Sequence, residues 1–303
     1  MKYLPLLPAL LLLTACTDIR SRISPDILAA DAGTQTRFAM HASQSDEIVT
    51  ADAEDPSLLR DALANASGAE ISAGHLSMLL LGSDPAAVLL PYFRAKWLPP
   101  TCAVLAVPEG ACDLLCGGNA PSPDALRAAV ETGLLPARTA DAVIGDLLGG
   151  SGMTAMHCHD AGTLTLLLCD AQQSFGTLSP NACRGLALLG GSYQHFDFAA
   201  ADGVHSVTRA RLHLDCKAEN NILRFTVNGR ICVTNPSAES EAVLCGMLSA
   251  ALAESCAQGA DILMLRETAV RCGESDAAFL SQMQWREKLR SSVPSVQIEQ
   301  SAT

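Results

Sequence analysis

Apolar positions along the chain follow two periods, and the change between them predicts a mixed architecture. Residues 35–42 and 206–214 alternate apolar and polar side chains, as expected for strands with one buried face. Residues 237–258 instead carry apolar side chains three and four positions apart, which predicts an amphipathic helix that ends at Gly259. Turn-forming residues separate further short segments of both kinds. The pattern therefore predicts an α+β, or mixed α/β, fold.

Helices and strands follow one another through the first half of the chain. Asp55 or Ser57 can cap a helix that carries Leu58, Leu59 and Leu63, and Pro85 suits the first turn of a helix that runs to about residue 97. Apolar runs at residues 75–81 and 102–107 are typical of strands. Further helices are predicted over residues 111–116, 123–132 and 139–148, and a strand pair over residues 155–170.

The last third of the chain carries the clearest local signals. Asn228-Gly229 lies between two apolar runs, residues 221–227 and 230–234, and this dipeptide is a strong hairpin signal. We therefore expect the chain to reverse at Asn228-Gly229. Residues 275–290 are predicted to form one helix, and the alternating residues 296–300 a terminal strand.

Two stretches rich in small and turn-forming residues, 117–121 and 199–203, separate the predicted elements into groups. Together with a signal peptide over residues 1–15, they give an N-terminal α/β domain (16–117), a middle domain (118–200) and a C-terminal α+β domain (201–303). We therefore expect two to three small units.

The N-terminus has the organisation of a bacterial lipoprotein signal. Lys2 precedes an apolar run at residues 4–13, and Thr14-Ala15 places small residues directly before Cys16. In this lipobox pattern the thiol of Cys16 receives a diacylglyceryl group and cleavage leaves Cys16 as the first residue; a plain secretory peptide is the alternative. Two or more acyl chains anchor a protein stably. Cys16 is therefore predicted to hold the chain on the extracytoplasmic face of a membrane.

Other membrane and nucleic-acid attachments are not supported by the sequence. The longest later apolar stretch, residues 76–93, is interrupted by Gly-Ser-Asp-Pro at residues 82–85. The formal net charge is −12, and removal of Lys2 with the signal makes it −13, which repels phosphate backbones and anionic headgroups. The sequence predicts no transmembrane helix after the signal peptide and no nucleic-acid partner.

Cysteine is frequent, with twelve in the chain. One is the predicted lipid site, and the other eleven include no Cys-x-x-Cys pair. Cys112 and Cys116 would share one helix face, and residues 157–159 (His-Cys-His) could offer metal ligands, although neighbouring strand residues point to opposite faces. Others, such as Cys169 and Cys256, stand where Val or Ala would serve. We expect mostly core thiols; some disulfides and a metal site are the alternatives.

The tested catalytic signatures are missing. There is no P-loop and no His-Glu-x-x-His pair, and residues 149–153 fail the last position of the Gly-x-Ser-x-Gly motif. Cys102 and His75 could be imagined as a nucleophile and its base, but nothing in their spacing requires it. We therefore predict no catalytic, cofactor-binding or metal-binding residues and no enzymatic activity.

Several short motifs succeed one another in a recognisable order. Cys16-Thr17-Asp18-Ile19-Arg20 places Asp and Arg shortly after the lipid site, and Gly74-His75-Leu76 opens an apolar strand that is followed by a proline-led helix. Arg184-Gly185-Leu186, Ala260-Asp261-Ile262 and Trp285 follow in turn. This order resembles that of the Ger(x)C family of spore germination lipoproteins, over nearly the whole mature chain.

The resemblance implies the C subunit of a nutrient germinant receptor. In this family the lipoprotein lies on the spore inner membrane beside polytopic membrane subunits and is not known as an enzyme. The family fold is mixed α and β in three domains. Asp261 and Trp285 match family positions, for which a role in the fold is favoured over a contact with a partner. The chain departs from the family at Thr17, where an aromatic residue is usual, and at residues 263–265, where a Gly-Phe-Gly-like stretch is usual.

Two other functions stay open at this point. A solute-binding lipoprotein of a transporter would have two α/β lobes with a ligand cleft between them. A surface hydrolase or thiol oxidoreductase would need a cysteine of low pKa with a histidine partner in a cleft.

Overall fold

The computed structural model describes residues 22–42, 47–94 and 98–302, and its architecture is mixed α and β, as predicted. The chain divides into two compact units. Unit 1 contains the described residues up to Cys102 together with Val107–Ala120, and unit 2 contains Ala103–Ala106 together with the described residues from Pro121 onward. The three-domain division at residues 117 and 200 stays a prediction.

Four neighbouring β-strands form the centre of unit 1. The strands of this unit are β1 (Arg22–Ile23), β2 (Ile27–Asp31), β3 (Thr36–Ala42), β4 (Glu47–Ala53), β5 (Glu70–Ile71) and β6 (Met78–Leu81), and its helices are α1 (Leu59–Ser67), α2 (Pro85–Arg94) and α3 (Ala111–Cys116). The four central strands lie side by side in the order β6, β2, β3, β4, in which β2 and β6 are parallel and the other pairs antiparallel. Strand β2 is an unbroken apolar run with its first four residues buried, which is typical of a strand covered on both faces.

The first part of unit 2 is a second α/β layer. Its strands are β7 (Ala103–Ala106), β8 (Met153–Asp160), β9 (Thr163–Asp170) and β10 (Ser174–Thr177), and its helices are α4 (Pro123–Glu131), α5 (Ala140–Leu148) and α6 (Pro180–Gly190). Strand β8 lies between β7, which is parallel to it, and β9, which is antiparallel. The three helices begin at Ser122, Thr139 and Ser179, whose hydroxyls accept a hydrogen bond from the amide three residues on.

The rest of unit 2 packs three helices against a four-stranded sheet. The strands, in sheet order, are β11 (Phe196–Ala200), β12 (Gly203–Glu219), β13 (Ile222–Val233) and β14 (Val293–Ala302). The helices are α7 (Ala238–Gln258), α8 (Leu265–Arg271) and α9 (Gln282–Arg290). Strands β13 and β14 run parallel, and these helices form the long crossover connection that a parallel pair requires. Phe225, Leu248 and Trp285 are fully buried in the core between helices and sheet.

Helix α7 confirms that residues 237–258 form a helix, although apolar residues also lie outside its buried face. Ser237 caps its start, with Ser240 in a reciprocal capping box, and Gly259 ends it with a left-handed φ of 69°. By length and composition α7 is the one candidate membrane span found in the described part of the chain. In the structure it is a core helix, because the apolar side chains of one face, such as Leu244 and Leu248, are buried inside unit 2.

The hairpin predicted at Asn228-Gly229 is wrong. Strand β13 runs straight through these two residues, and the chain reverses instead at Asn220 and Asn221, whose φ angles of 52° and 64° suit a type I′ turn. Glycine is required at position 229 for a different reason. A Cβ there would lie 2.0 Å from the carbonyl oxygen of Arg211 on the neighbouring strand. The glycine therefore permits a close approach of two strands rather than a reversal.

Two other predicted boundaries change. The helix predicted over residues 275–290 is divided into a single 3₁₀ turn, Ser275–Phe279, and helix α9, because Leu280 is extended and Ser281 caps a new start. The strand predicted over residues 75–81 begins later, since Ala73–His75 forms a 3₁₀ turn before β6. Of the helix predicted from Pro85 to residue 97, residues 85–94 are helical and residues 95–97 lie outside the described residues.

Candidate functional site

The predicted lipid site lies outside the described residues. Cys16, Asp18 and Arg20 all precede Arg22, where the description of the chain begins. The lipidation of Cys16 therefore stays a prediction.

Most of the other cysteines are core residues. The buried ones within the described residues are Cys102, Cys112, Cys158, Cys169, Cys183, Cys216 and Cys256. Burial raises the pKa of the thiols of Cys102, Cys158, Cys169 and Cys216 to about 12, so these thiols are protonated at neutral pH. Cys112 and the cysteines that follow it within residues 98–302 form no disulfide with one another. The prediction of core thiols is confirmed for these buried positions.

The structure does not support Cys102 and His75 as a nucleophile and base. His75 is exposed in the Ala73–His75 turn, whereas Cys102 is buried and its thiol has a raised pKa. A nucleophilic cysteine needs thiolate character, which burial opposes.

The structure does not bring the predicted candidates for metal ligands together in one site. His157 is 2% exposed, and its Nε2 donates to the carbonyl oxygen of Pro136 at 2.9 Å. Cys112 lies with its Sγ 3.3 Å from the carbonyl oxygen of Arg37, while Cys116 is exposed. No three His, Cys, Asp or Glu side chains within the described ranges are arranged to hold a metal ion.

Asp261 and Trp285, which the sequence singled out separately, contact each other. The indole Nε1 of Trp285 donates to Oδ2 of Asp261 at 2.8 Å, and both side chains are buried. The Asp261 carboxylate also accepts the backbone N–H groups of Leu265 (2.5 Å) and Arg266 (3.1 Å), at the start of α8. Burial raises the pKa of this carboxyl group, while the three N–H donors lower it. The pair therefore fixes the start of α8 to α9, which is a role in the fold.

Two arginines extend this polar cluster across unit 2. Arg266 donates to the carbonyl oxygens of Gly150 (3.1 Å) and Ala277 (2.8 Å) and to that of Leu280. Arg286 donates to the carbonyl oxygen of Ser151 at 2.7 Å and pairs with Asp170 at 3.1 Å. Three chain segments that are distant in sequence are thereby held together.

An open cavity of about 310 Å³ lies beside this cluster within unit 2. Its walls come from residues 136–138, strands β8 and β9, the end of α6, the middle of β12 and residues 262–264. Most of the lining is aliphatic, and four of the lining leucines are only half-buried, so that part of their apolar surface is accessible. These four are Leu189, Leu212, Leu214 and Leu263.

Arg138 supplies a polar group to the cavity wall. Its Nε donates to the carbonyl oxygen of Ala155 at 2.7 Å, and its Nη2 contacts the Asp146 carboxylate and Thr154 Oγ1, the latter at 2.9 Å. Nη1 has no hydrogen-bond partner among the described residues. The side chain is 13% exposed, so the guanidinium is held firmly by one carboxylate, one hydroxyl and one carbonyl group.

Sequence reasoning missed this cavity. Its lining is drawn from six separate segments, none of which carries a motif, and Arg138 lies in a short loop before α5. The sequence offers one local signal, a set of leucines that line the cavity: Leu186, Leu189, Leu212 and Leu214. The same leucines would also be expected in a filled core, so they do not indicate a cavity.

Comparisons with known proteins give one structural likeness. No protein-family model matches the chain, and no curated protein matches it. Among solved structures, the fold is similar to that in the crystal structure of the GerBC protein. The likeness covers 91% of this chain and 96% of that chain, with a TM-score of 0.55 and 14% sequence identity. At this identity it shows the fold alone, a multi-domain mixed α and β fold of the GerBC kind.

Proposed function

We propose that this chain is the lipid-anchored C subunit of a nutrient germinant receptor and takes part in spore germination without catalysis of its own. The observation that carries the proposal is the likeness of its fold to the GerBC protein over 91% of the chain. The lipobox at Cys16 and the order of motifs from Gly74 to Trp285 support it from the sequence.

The lipid would place the protein on the extracytoplasmic face of the spore inner membrane, beside polytopic membrane subunits. Confinement to a surface raises the effective concentration of a protein for a membrane partner. Since the mature chain carries a formal charge of −13 (−12 less the Lys2 charge), its surface is repelled by anionic headgroups. The acyl chains on Cys16 are then the main source of membrane attachment.

The chemistry of the described thiols supports a non-catalytic role. Cys102, Cys158 and Cys169 are buried, and burial raises the pKa of each to about 12. A thiol oxidoreductase needs the opposite, an accessible cysteine with a lowered pKa. The solute-binding alternative predicts no germination defect when the chain is deleted, which separates it from the proposal.

A pull-down from spore membranes tests the proposal. We expect wild-type protein to co-purify with polytopic subunits of a germinant receptor, and Cys16→Ala to lose both membrane attachment and these subunits. Cys116→Ala is the matched control, because it removes an exposed thiol from α3 and should keep both properties.

A germination assay on the same strains completes the test. Spores that lack the chain should respond poorly to nutrients, and wild-type protein or Cys116→Ala should restore the response. Normal nutrient germination of the deletion strain, or wild-type protein that captures no polytopic subunit, would contradict the proposed function.

A further inference from the structure

The cavity of unit 2 has the size of a small-molecule site. Its volume of about 310 Å³ lies at the lower end of the roughly 300–1,000 Å³ found for ligand pockets. At about 30 Å³ for each water-sized group, it holds roughly ten non-hydrogen atoms.

Polar contacts hold two walls of the cavity in place. His157 Nε2 donates to the Pro136 carbonyl oxygen at 2.9 Å, and Arg138 is fixed by Asp146, Thr154 and Ala155. These contacts hold the wall formed by residues 136–138 in a fixed position.

The wall at residues 262–264 is fixed from its two ends. The backbone N–H of Asp261 donates to Ser151 Oγ at 3.0 Å, and the Asp261 carboxylate accepts the backbone N–H of Leu265 at 2.5 Å. Because both walls are held by polar contacts, the aliphatic side chains between them do not close the space.

The lining selects against molecules that would place an ammonium group inside the cavity. Arg138 and His213 are the titratable lining residues in the described part of the chain, and each has a carboxylate partner, Asp146 for Arg138 and Asp215 at 3.4 Å for His213. No lining residue there is acidic, so the ammonium group of a free amino acid would find no carboxylate in the wall. In the described part of the chain Arg138 Nε and Nη2 have hydrogen-bond partners, and Nη1 is left as a donor for a ligand.

We propose that this cavity binds an aliphatic molecule of about eight carbons that carries one hydrogen-bond acceptor. The chain packs against Leu189, Leu212 and Leu263, and its oxygen accepts a hydrogen bond from Arg138 Nη1. This binding site goes beyond the receptor assignment and does not depend on it.

Two glycines allow a matched pair of variants. Gly190 lines the cavity at the end of α6, and the nearest atom to a Cβ there is Ser192 Oγ at 4.0 Å, so the backbone accepts a side chain and Gly190→Phe introduces a ring at the cavity. Gly145 in α5 has nothing within 4 Å of a Cβ and does not line the cavity. Gly145→Phe is therefore the control for an added ring at an exposed helical glycine.

Calorimetric titration of the mature Cys16→Ala chain, free of lipid and detergent, provides the test. We expect octanoate or 1-octanol to bind with one-to-one stoichiometry, Gly145→Phe to bind equally well, and Gly190→Phe to bind at least ten-fold more weakly. Leucine should not bind. Dihexanoyl phosphatidylcholine below its micelle concentration distinguishes the source of the chain: its binding extends the site to membrane lipids, and its failure restricts the site to free molecules.

A second blocking variant separates loss of binding from loss of folding. Leu212→Trp fills the cavity from strand β12. Each variant is tested for binding only after circular dichroism shows a native spectrum and a cooperative thermal transition. The proposal is overturned if neither eight-carbon probe binds saturably, if both folded blocking variants bind as the parent does, or if leucine binds as tightly as octanoate.

Discussion

Protonation of His157 should destabilise the folded chain at mildly acidic pH. Its Nε2–H donates to the Pro136 carbonyl oxygen, so Nδ1 is the unprotonated nitrogen, and it is buried without a hydrogen-bond partner. A proton on Nδ1 would add a buried charge and a donor with no acceptor. Desolvation by burial, with a smaller contribution from Arg138, accordingly lowers the pKa of His157 from 6.5 to about 4.

The sign and size of the effect follow from this shift. The folded pKa is below the unfolded one, so the contribution of His157 to stability is fully present above pH 6.5 and is lost as the pH falls toward 4. At 1.36 kcal/mol for each pKa unit, the loss between pH 7.5 and pH 4 is about 3 kcal/mol.

Urea denaturation of wild type and His157→Gln, followed by circular dichroism from pH 7.5 to pH 4, measures this loss. The glutamine amide can still donate to Pro136, and we expect the variant to be about 1–2 kcal/mol less stable at pH 7.5 because it fills the site less well. As the pH falls, wild type should lose about 3 kcal/mol relative to the variant, so that the order of stability reverses.

A comparison between the two proteins is needed because many carboxylates titrate over the same range. His195→Gln removes an exposed imidazole and is the control for the substitution itself. If the difference between wild type and His157→Gln stays constant within about 0.5 kcal/mol from pH 7.5 to pH 4, the buried neutral histidine is refuted.

Two further substitutions test the packing of unit 2 by urea denaturation at pH 7.5. Asp261→Asn leaves at least one of three buried N–H donors without an acceptor and should cost about 2 kcal/mol, whereas the exposed Asp276→Asn should stay within about 0.5 kcal/mol of wild type. Gly229→Ala brings a Cβ to 2.0 Å from the Arg211 carbonyl oxygen and should cost about 2 kcal/mol or more, whereas Gly246→Ala, in open space on α7, should stabilise by about 0.5–1 kcal/mol. Equal stabilities within either pair would contradict the packing described here.

The helices could be predicted from the sequence because their ends carry local signals. Ser122 and Thr139 accept hydrogen bonds from the first helical turns of α4 and α5, and Gly259 ends α7 in the left-handed conformation. Such contacts join residues three or four positions apart, so the residue types that make them can be recognised in the sequence without knowledge of the tertiary structure.

The failed hairpin shows where local signals mislead. Asn-Gly suits a two-residue turn, but the buried residues Leu223, Phe225 and Val227 continue in the same phase at Ile231 and Val233. A reversal at Asn228-Gly229 would have broken this alternation, whereas a continuous strand keeps every one of these side chains on the core face. Burial over twelve residues therefore outweighs the preference of one dipeptide.

The cavity could not be predicted, because no local rule brings its six wall segments together. Leu189 ends a helix, Leu212 lies in a strand and Leu263 follows another helix, and each pattern is explained equally well by a filled core. What keeps the space open is a set of contacts between distant residues, such as His157 with Pro136 and Asp261 with Leu265.

The same contacts distinguish residues that hold the fold together from residues that shape the cavity. Asp261 and Trp285 bond to each other, and Asp261 also bonds to the start of α8, so both have a role in the fold. Leu263 and Met264 follow Asp261 closely in the chain and line the cavity. Met264 even holds a left-handed φ of 54°, a conformation that costs a residue with a side chain about 1–2 kcal/mol and glycine almost nothing. The chain thus presents a long aliphatic side chain at the cavity wall, where glycine would cost less. The fold is similar to that of the GerBC protein, while the chemistry of the cavity wall depends on side chains such as Leu263 and Met264.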